Sequence, residues 1–458
     1  MLLFKLECMR LFSGKINKLV LILFVISGVF AIYQGAQGYK NIRIDQYKSK
    51  IVFQKEREHV TQRESLPEAG SLAYYASAPT KWQLSPWAAL FVGESQSSMV
   101  ATKIRATALQ SQIFNREIVN PSQQRTGGLD LGFVLVYLLP LVIGIMTVTL
   151  ISDEQHAGRW RLLNALPKSA FSQVCKQIAL RFVVIWLLVL SLLVSAALLL
   201  SLPFDAVFWV VLLATSVYML FWFSVAGLIM SFGKSSVVNS LAYLSSWVLF
   251  AMLIPGAVHL YLSSQFHSEA PLEMSLEQRM VLNNGWEQDQ NKQAILDEFL
   301  KHEPHWQDTA PLGDAFEWKW YYAQQHMSDL AVQQQWQDYV ENNALRHAQL
   351  QALSALSPAL YFQLKLNQLA NTSSRDQAQY QQQIVNYHSE IRHFFYDYLF
   401  FNKAISKEDV DNFILFDPKT SALTNSTSKS LWALFISMLC VFAIALVAML
   451  RLKQLRPA

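Results

Sequence analysis

The sequence predicts an all-α membrane protein with six transmembrane helices and a mainly helical extracytoplasmic domain formed by two insertions. Of its 458 residues, 52% are hydrophobic and only 15% are charged, which is too apolar for an ordinary soluble chain of this length. The apolar residues are also grouped into six blocks, each close to the roughly 20 residues that cross a bilayer. Within lipid the backbone must satisfy its own hydrogen bonds, so we expect these blocks to be helical.

The blocks divide the chain into eleven segments, and the long excursions follow only the first and fifth spans. The predicted segments are a cytoplasmic interfacial segment 1–18, spans at 19–36, 131–152, 182–202, 206–232, 237–262 and 431–450, extracytoplasmic insertions 37–130 and 263–429, a cytoplasmic coupling segment 153–181, and a cytoplasmic tail 451–458.

The first span has two interpretations. Residues 2–16 mix apolar and basic residues, as a short helix at the membrane interface does, although a floppy tail has a similar composition. Basic residues then precede the apolar run, and Ala36-Gln37-Gly38 resembles a cleavage site, so a removed signal peptide is the alternative to a retained span. Both interpretations place the following residues outside.

The distribution of charge predicts the orientation. The short segments assigned to the inside contain thirteen of the 37 Lys and Arg residues but only three of the 33 acids. Such an excess marks the cytoplasmic side, so both termini are predicted in the cytoplasm and the protein in the inner (plasma) membrane. The net charge of +4 reflects this topology, and no basic patch indicates a nucleic-acid partner.

The two insertions differ in composition. The first begins charged and helix-like, and its Pro- and aromatic-rich stretch 73–93 is predicted as packed loop; the second is rich in Gln, Trp and Tyr, with helical spacing at 313–352 and 374–401. Cys8, Cys175 and Cys440 all lie outside the insertions. No disulfide framework is therefore expected there, and the domain must be held by apolar packing.

The segment after the second span carries the pattern of a short amphipathic helical hairpin. Asp153 and Glu154 suit the first turn of a helix, and Pro167 ends the pattern. Between them lie Gly158, the cations Arg159 and Arg161, and an apolar patch formed by Trp160, Leu162, Leu163 and Leu166. From these residues alone, a docking element and a plain interfacial loop are equally good interpretations.

This segment resembles the cytoplasmic loop of ABC-type exporter permeases of the second class, whose pattern is roughly G-E-R-E-x-G-T-L-x-L-L-L-S-x-P. The residues in register are Glu154, Gly158, Arg161, Leu162, Leu163 and Pro167. The chain departs from the pattern at Asp153, His156 and Arg159. Stretches 127–146 and 357–387 also resemble a branch of this family with two large outer insertions.

The resemblance implies a non-catalytic permease subunit that binds no cofactor itself. A separate ABC ATPase would bind ATP and Mg and would dock on residues 153–167, and a second permease, identical or similar, would complete the complex. The outer domain would receive substrate or a periplasmic partner. A short helix continuous with span two is expected to carry the force of the ATPase into the membrane. The competing hypothesis is a membrane-anchored scaffold or assembly protein that transports nothing.

Two other motifs are weak. Gly227, Gly233, Lys234 and Ser235 resemble a phosphate-binding loop, but five residues separate the glycines instead of four, and the stretch ends an apolar helix. The stretch 302–305, with His388 and His393, has metal-binding residue types, but Pro304 interrupts it and no Cys accompanies it, so a solvated surface is predicted and no metal.

Polar and helix-bending residues in the spans complete the prediction. Pro140 and Gly144 in span two, and Pro255 and Gly256 in span five, are candidate points of bending. Asp130, at the outer end of span two, is expected at the water interface or paired. Candidate partners for hydrogen bonds between helices are Ser191, Ser195, Ser216, Asn239, Ser245 and Ser246.

Overall fold

The fold is mainly helical, as predicted. A computed structural model describes residues 7, 9, 11–114, 129–160, 170–266, 270–287, 292–419 and 441–452. Within these ranges the β structure is one antiparallel pair of strands, Ala78–Lys81 and Ala101–Ile104, with Ala78 opposite Ile104. The first strand lies in the stretch predicted as packed loop, which also contains the 3-10 helix Pro86–Ala89.

Five helices are long and apolar enough to cross a membrane, which confirms the membrane-protein class by length and composition. Their residues are Lys15–Thr61, Leu131–His156, Ala170–Leu199, Ala206–Met230 and 236–265. The predicted sixth span falls largely outside the described residues. Its described part is the twelve-residue helix Val441–Leu452, which is too short to cross a bilayer alone, so six spans remain a prediction.

The helix that contains span one continues well beyond the apolar block 19–36. Its helix has 47 residues and is therefore roughly 70 Å long, about twice the thickness of the hydrocarbon core. The charged second half extends out of the bundle. There, Gln46 Nε2 donates hydrogen bonds to the carbonyls of Trp82 (3.1 Å) and Val100 (3.0 Å), and Phe53 packs on Phe413. The extension ties the bundle to the strand pair.

Span four lies at the centre of the bundle and packs against spans two, three and five. Asp205 caps it, because its carboxylate accepts a hydrogen bond from the Val207 amide (2.9 Å). The helix ends before Gly233, which has φ +63°. Of the six predicted polar partners, Ser216 accepts a bond from Trp186 Nε1 of span three (2.9 Å), whereas Ser191, Ser195 and Ser246 bond within their own helices.

Residues 37–114 and 270–419 pack together around one apolar core, and we call this unit the insertion domain. Its further helices are Ala69–Tyr75, Gln110–Phe114, Ala270–Glu287, Lys292–His302, Trp318–Ala331, Gln333–Leu353, Pro358–Leu369, Ser374–Phe400 and Lys407–Asp411, with 3-10 turns at Gly93–Gln96, Pro304–Trp306 and Ser354–Leu356.

A buried polar network joins the two insertions. Asp329 accepts hydrogen bonds from the Leu109 amide (2.9 Å) and from Gln278, and it forms an ion pair with Arg392 (2.7 Å). Arg392 Nε in turn donates to the carbonyl of Ala106 (3.0 Å). Because a buried charge is costly without partners, these bonds fix the end of the first insertion against helices of the second.

Candidate functional site

The end of span two that lies away from the insertion domain is where the predicted docking residues begin, and we call it the far end. The span pauses at a turn after Thr147, resumes as helix Leu150–His156 and stops at Gly158, which has φ +70°. This left-handed conformation strains any residue with a Cβ, so glycine suits the turn. Residues 159 and 160, the last that the structure describes here, are therefore not a direct continuation of span two, contrary to the sequence-based expectation.

Trp160 is buried, with 5% of its surface exposed, although the sequence assigned it to an exposed docking patch. It packs in an apolar cluster that we call the far-end cluster. The buried members of this cluster are Leu150, Ile151, Trp160, Val174, Met230 and Leu452. They come from spans two, three and four and from the C-terminal helix, so residue 160 is anchored to most of the bundle and is not available to a partner.

An ion pair crosses the turn at Gly158. Arg159 Nε lies 2.7 Å from the carboxylate of Glu154, whose side chain is 5% exposed, while the Arg159 side chain is 54% exposed. The bond is charge-assisted and holds the new segment against the last turn of span two. Arg159 departs from the loop pattern of the permeases that the sequence resembles, whereas its partner Glu154 matches that pattern.

Asp153 connects span two to the start of span five. The Ser236 hydroxyl donates to the Asp153 carboxylate (2.8 Å) and lies 2.8 Å from the Ser152 hydroxyl. Ser236 is the first residue of a helix, and a carboxylate near a helix N-terminus is favoured by the unpaired amides there. The far end therefore holds spans two and five together.

Of the ten predicted docking residues, the structure brings together Asp153, Glu154, Gly158, Arg159 and Trp160. The other five, Arg161, Leu162, Leu163, Leu166 and Pro167, lie outside the described residues.

Sequence reasoning missed three contacts at the far end. Arg181 is buried inside span three and its Nε donates to the Met146 carbonyl of span two (2.8 Å). Gln177 donates to the Glu7 carboxylate (3.1 Å), and the Arg451 guanidinium stacks on the Phe232 ring at 4.1 Å. In the sequence, Arg181 and Arg451 indicate only the orientation of the spans. The contacts of all three side chains involve residues that are distant in sequence.

Spans two and five each contain one turn of π-helix immediately before a proline. The turns are Val134–Leu138, before Pro140, and Leu249–Leu253, before Pro255. Proline has no N–H, so a carbonyl one turn earlier loses its helical partner. In span two the Tyr218 hydroxyl donates to the Val136 carbonyl (2.7 Å), and in span five the Ser357 hydroxyl donates to the Phe250 carbonyl.

Ser357 begins the helix Pro358–Leu369, which we call the linking helix because it packs on the bundle from the insertion domain. Its hydroxyl also accepts a bond from the Leu360 amide (3.1 Å), so one side chain caps this helix and contacts span five. Phe362 stacks on Tyr218 of span four at 4.5 Å between ring centroids. Tyr137 of span two donates to Gln363 (2.9 Å). The linking helix therefore touches both π-turns.

The domain end of span two is tied down by Asp130. Its carboxylate accepts hydrogen bonds from the amides of Val92 and Phe133, both at 2.8 Å. Burial raises the pKa of Asp130 to about 6, against the opposing effect of these two bonds. Span one approaches closely at Gly35, where the Ala89 carbonyl occupies the position a Cβ would take.

The structure offers no support for phosphate or metal chemistry in the described residues. Gly227 lies within the helix of span four and not between a strand and a helix. No group of three or more His, Cys, Asp or Glu residues that could hold a metal ion is present in the described part of the chain. His388, predicted at a solvated surface, is instead buried, with its Nε2 2.7 Å from the Thr107 carbonyl.

Comparison with known proteins identifies one family model. Residues 272–419, about a third of the chain, match a domain of unknown function, DUF3526. The matched region contains most of the second insertion, including the linking helix. No curated protein and no solved structure matches the chain.

Proposed function

We propose that this chain is the transmembrane permease subunit of an ABC transporter that works as an exporter, coupling ATP hydrolysis by a separate ATPase subunit to substrate movement across the inner membrane. In this proposal both termini are cytoplasmic, the far end faces the cytoplasm and the insertion domain is extracytoplasmic. The chain itself binds no cofactor, and ATP and Mg lie on the ATPase.

The observation that carries the proposal is the far-end cluster. An ATPase can move membrane helices only through a stiff contact at their ends, and it must prefer one arrangement of the helices over another. A partner docked on residues 161–167 would act directly beside Trp160, which packs against three spans and the C-terminal helix. The ion pair between Glu154 and Arg159 braces the turn through which the force would pass.

The bundle offers a path from this contact to the insertion domain. Asp153 holds span two to span five at the far end, and both spans contain a π-turn with a proline. The linking helix contacts both π-turns. A change in bend at either proline would therefore move the linking helix, so that the ATPase and the insertion domain are coupled through spans two and five.

A second permease subunit, identical or similar, completes the proposed complex. In span five only 17% of the most apolar stretch is buried within this chain, compared with 72% in span two. Its exposed apolar side chains include Val237, Leu241 and Leu260. A second subunit packed against span five would cover this face, which otherwise contacts lipid.

The experiment replaces two residues of the predicted docking patch, Leu162→Asp and Leu163→Asp, in the full-length protein purified from its own host in mild detergent. Because burying each leucine contributes about 1.5–3 kcal/mol, we expect co-purification of an ABC ATPase and its ATP hydrolysis to fall more than about tenfold. Mass spectrometry identifies the ATPase, and phosphate release measures its activity.

The matched control is Leu345→Asp with Leu356→Asp. These leucines are 49% and 56% exposed on the insertion domain, and the control should retain the ATPase fully. In a background without native cysteines, a membrane-impermeant thiol reagent should label Gln334→Cys in intact spheroplasts and leave Ser169→Cys unlabelled. Undiminished ATPase in the docking variant, or the opposite labelling, contradicts the proposal. A wild-type protein that brings down no ATPase favours the scaffold function.

A further inference from the structure

An open groove of about 1310 Å³ lies in the insertion domain. One wall comes from the first insertion, with strand Ala101–Ile104 and helix Gln110–Phe114. The other comes from helices Ala270–Glu287 and Gln333–Leu353, and the groove ends at Ser263 and Phe266, where span five ends. It lies at the opposite end of the bundle from the far end.

Cations outnumber acids in this groove. Lys103, Arg105, Arg279 and Arg346 line it together with two carboxylates, Glu273 and Asp338. Within the described part of the chain, no ion pair joins any of these four cations to a carboxylate. Among the described residues, these cations therefore line one space without an ion-pair partner, and an anion that accepts hydrogen bonds from them would be favoured there.

The groove also contains exposed apolar side chains, on the helix that carries Arg279. Leu272 and Leu276 both line it, and they are 63% and 53% exposed. They lie four residues apart and thus on one face of their helix. In the sequence, the apolar block of span five ends at 262, immediately before Ser263. The end of span five and these two leucines therefore line the same groove as the cations.

We propose that this groove binds an anionic membrane lipid, with its phosphate between Arg105 and Arg346 and an acyl chain along Leu272 and Leu276 towards span five. An acidic peptide would satisfy the cations equally well, but two exposed leucines in a groove that the end of span five also lines favour a lipid. The proposal rests on span five crossing a membrane. It does not depend on the side of the membrane on which the insertion domain lies or on any ATPase. The lipid proposal can therefore fail while the proposed transport function stands, and the transport function can fail while the lipid proposal stands.

The experiment measures lipid retained by the full-length protein after extraction from nanodiscs that contain equal amounts of phosphatidylglycerol and phosphatidylcholine. We expect phosphatidylglycerol to be enriched, and Arg105→Gln with Arg346→Gln to reduce the enrichment about tenfold, which corresponds to about 1.4 kcal/mol. Leu272→Gln with Leu276→Gln should reduce total lipid at the site. The control, Arg63→Gln with Lys407→Gln, removes two exposed cations outside the groove and should leave the enrichment unchanged.

Three results would overturn the proposal. One is equal retention of the two lipids by the wild-type protein, and another is an equal loss of enrichment in the control. The third is complete displacement of the lipid by millimolar inorganic phosphate, or by a poly-glutamate peptide, with no effect of the leucine substitutions. That result would assign the groove to a soluble anion or an acidic peptide. All four substituted cationic and apolar positions lie in the solvent-open groove, so size-exclusion profiles identical to wild type are expected and serve as the check of folding.

Discussion

Spans two and five contain the same backbone feature but are supported from different directions. Each has one π-helical turn, followed by Pro140 in span two and by Pro255 in span five. Single π-helical turns often occur at functional sites. Helices commonly kink at such turns and at prolines, because a proline cannot continue the hydrogen-bond pattern of an α-helix. We call each π-turn together with its proline a bend. The two bends differ in the groups that donate hydrogen bonds to their backbone carbonyls.

The bend in span two is enclosed by the bundle. Tyr218 donates to the Val136 carbonyl (2.7 Å), Trp247 to that of Tyr137 (3.2 Å), and Tyr243 to that of Pro140 (2.8 Å). Gly144 lies directly under the ring of Tyr243, where a Cβ would collide with it. Side chains from spans four and five therefore fix this bend from two sides.

The bend in span five is open on its outer face. Met252 and Leu253 are 55% and 59% exposed, and among the described residues no atom outside the adjacent residues and helix backbone lies within 4 Å of a Cβ added at Gly256. The Phe250 carbonyl accepts its side-chain bond from Ser357, a residue of the linking helix. The bundle thus determines the bend of span two, whereas the insertion domain supports that of span five. We expect the two bends to respond differently to the same kinds of substitution.

The largest difference is expected between the two glycines. Gly144→Val places a branched side chain in the space of the Tyr243 ring, so it should destabilise the protein by on the order of 3 kcal/mol through overpacking and the lost bond to Pro140. Gly256→Val meets open space and should cost less than about 1 kcal/mol. Reversible unfolding in mixed detergent measures both. Similar losses at the two positions would show that the bends are packed alike.

The prolines, the helix starts and the apolar blocks of the spans can be predicted from the sequence. Pro140 and Pro255 stand out in apolar blocks because proline removes a donor wherever it occurs, and Asp205 after a proline indicates a helix start through a local capping bond. Such signals depend on a few neighbouring residues. The apolar blocks predict five of the spans for the same reason, since their length alone matches a bilayer.

Contacts between distant parts of the chain were not predictable. In the sequence, Trp160 looks like part of an exposed patch. It is buried because Val174, Met230 and Leu452, which are distant in sequence, pack in the same cluster. Nothing within 358–369 distinguishes the linking helix from other helices of the second insertion, because its partner residues lie more than 100 positions away in spans two, four and five. Charge counting likewise did not predict the bonds of Arg181, since a count does not specify partners.

The second prediction concerns Ser357, which has two functions. Ser357→Ala removes the cap of the linking helix and the donor to the Phe250 carbonyl, and should cost about 2 kcal/mol. Backbone hydrogen exchange should increase in 250–256 as well as in 358–362, because the two segments share this side chain. The π-turn of span two should keep its protection, since its donors come from spans four and five.

The matched control is Ser373→Ala. Ser373 caps the helix Ser374–Phe400 in a capping box with Asp376, and none of its hydrogen bonds reaches a span. Its loss should increase exchange at the start of that helix only. If Ser357→Ala leaves 250–256 as protected as the control does, then the insertion domain does not support the bend of span five.

The smallest expected effect comes from the tyrosines around span two. Tyr218→Phe and Tyr243→Phe each keep the ring but remove a hydroxyl that donates to a carbonyl near Pro140, and each should cost about 1 kcal/mol in the membrane. Tyr261→Phe, at a 50% exposed ring beyond the bend of span five, should have no measurable effect. Because Tyr218 and Tyr243 serve the same bend, the double substitution should cost more than the sum of the two. Unfolding in mixed detergent measures all four variants, and strict additivity would mean that the two hydrogen bonds contribute independently and do not act together on the bend of span two.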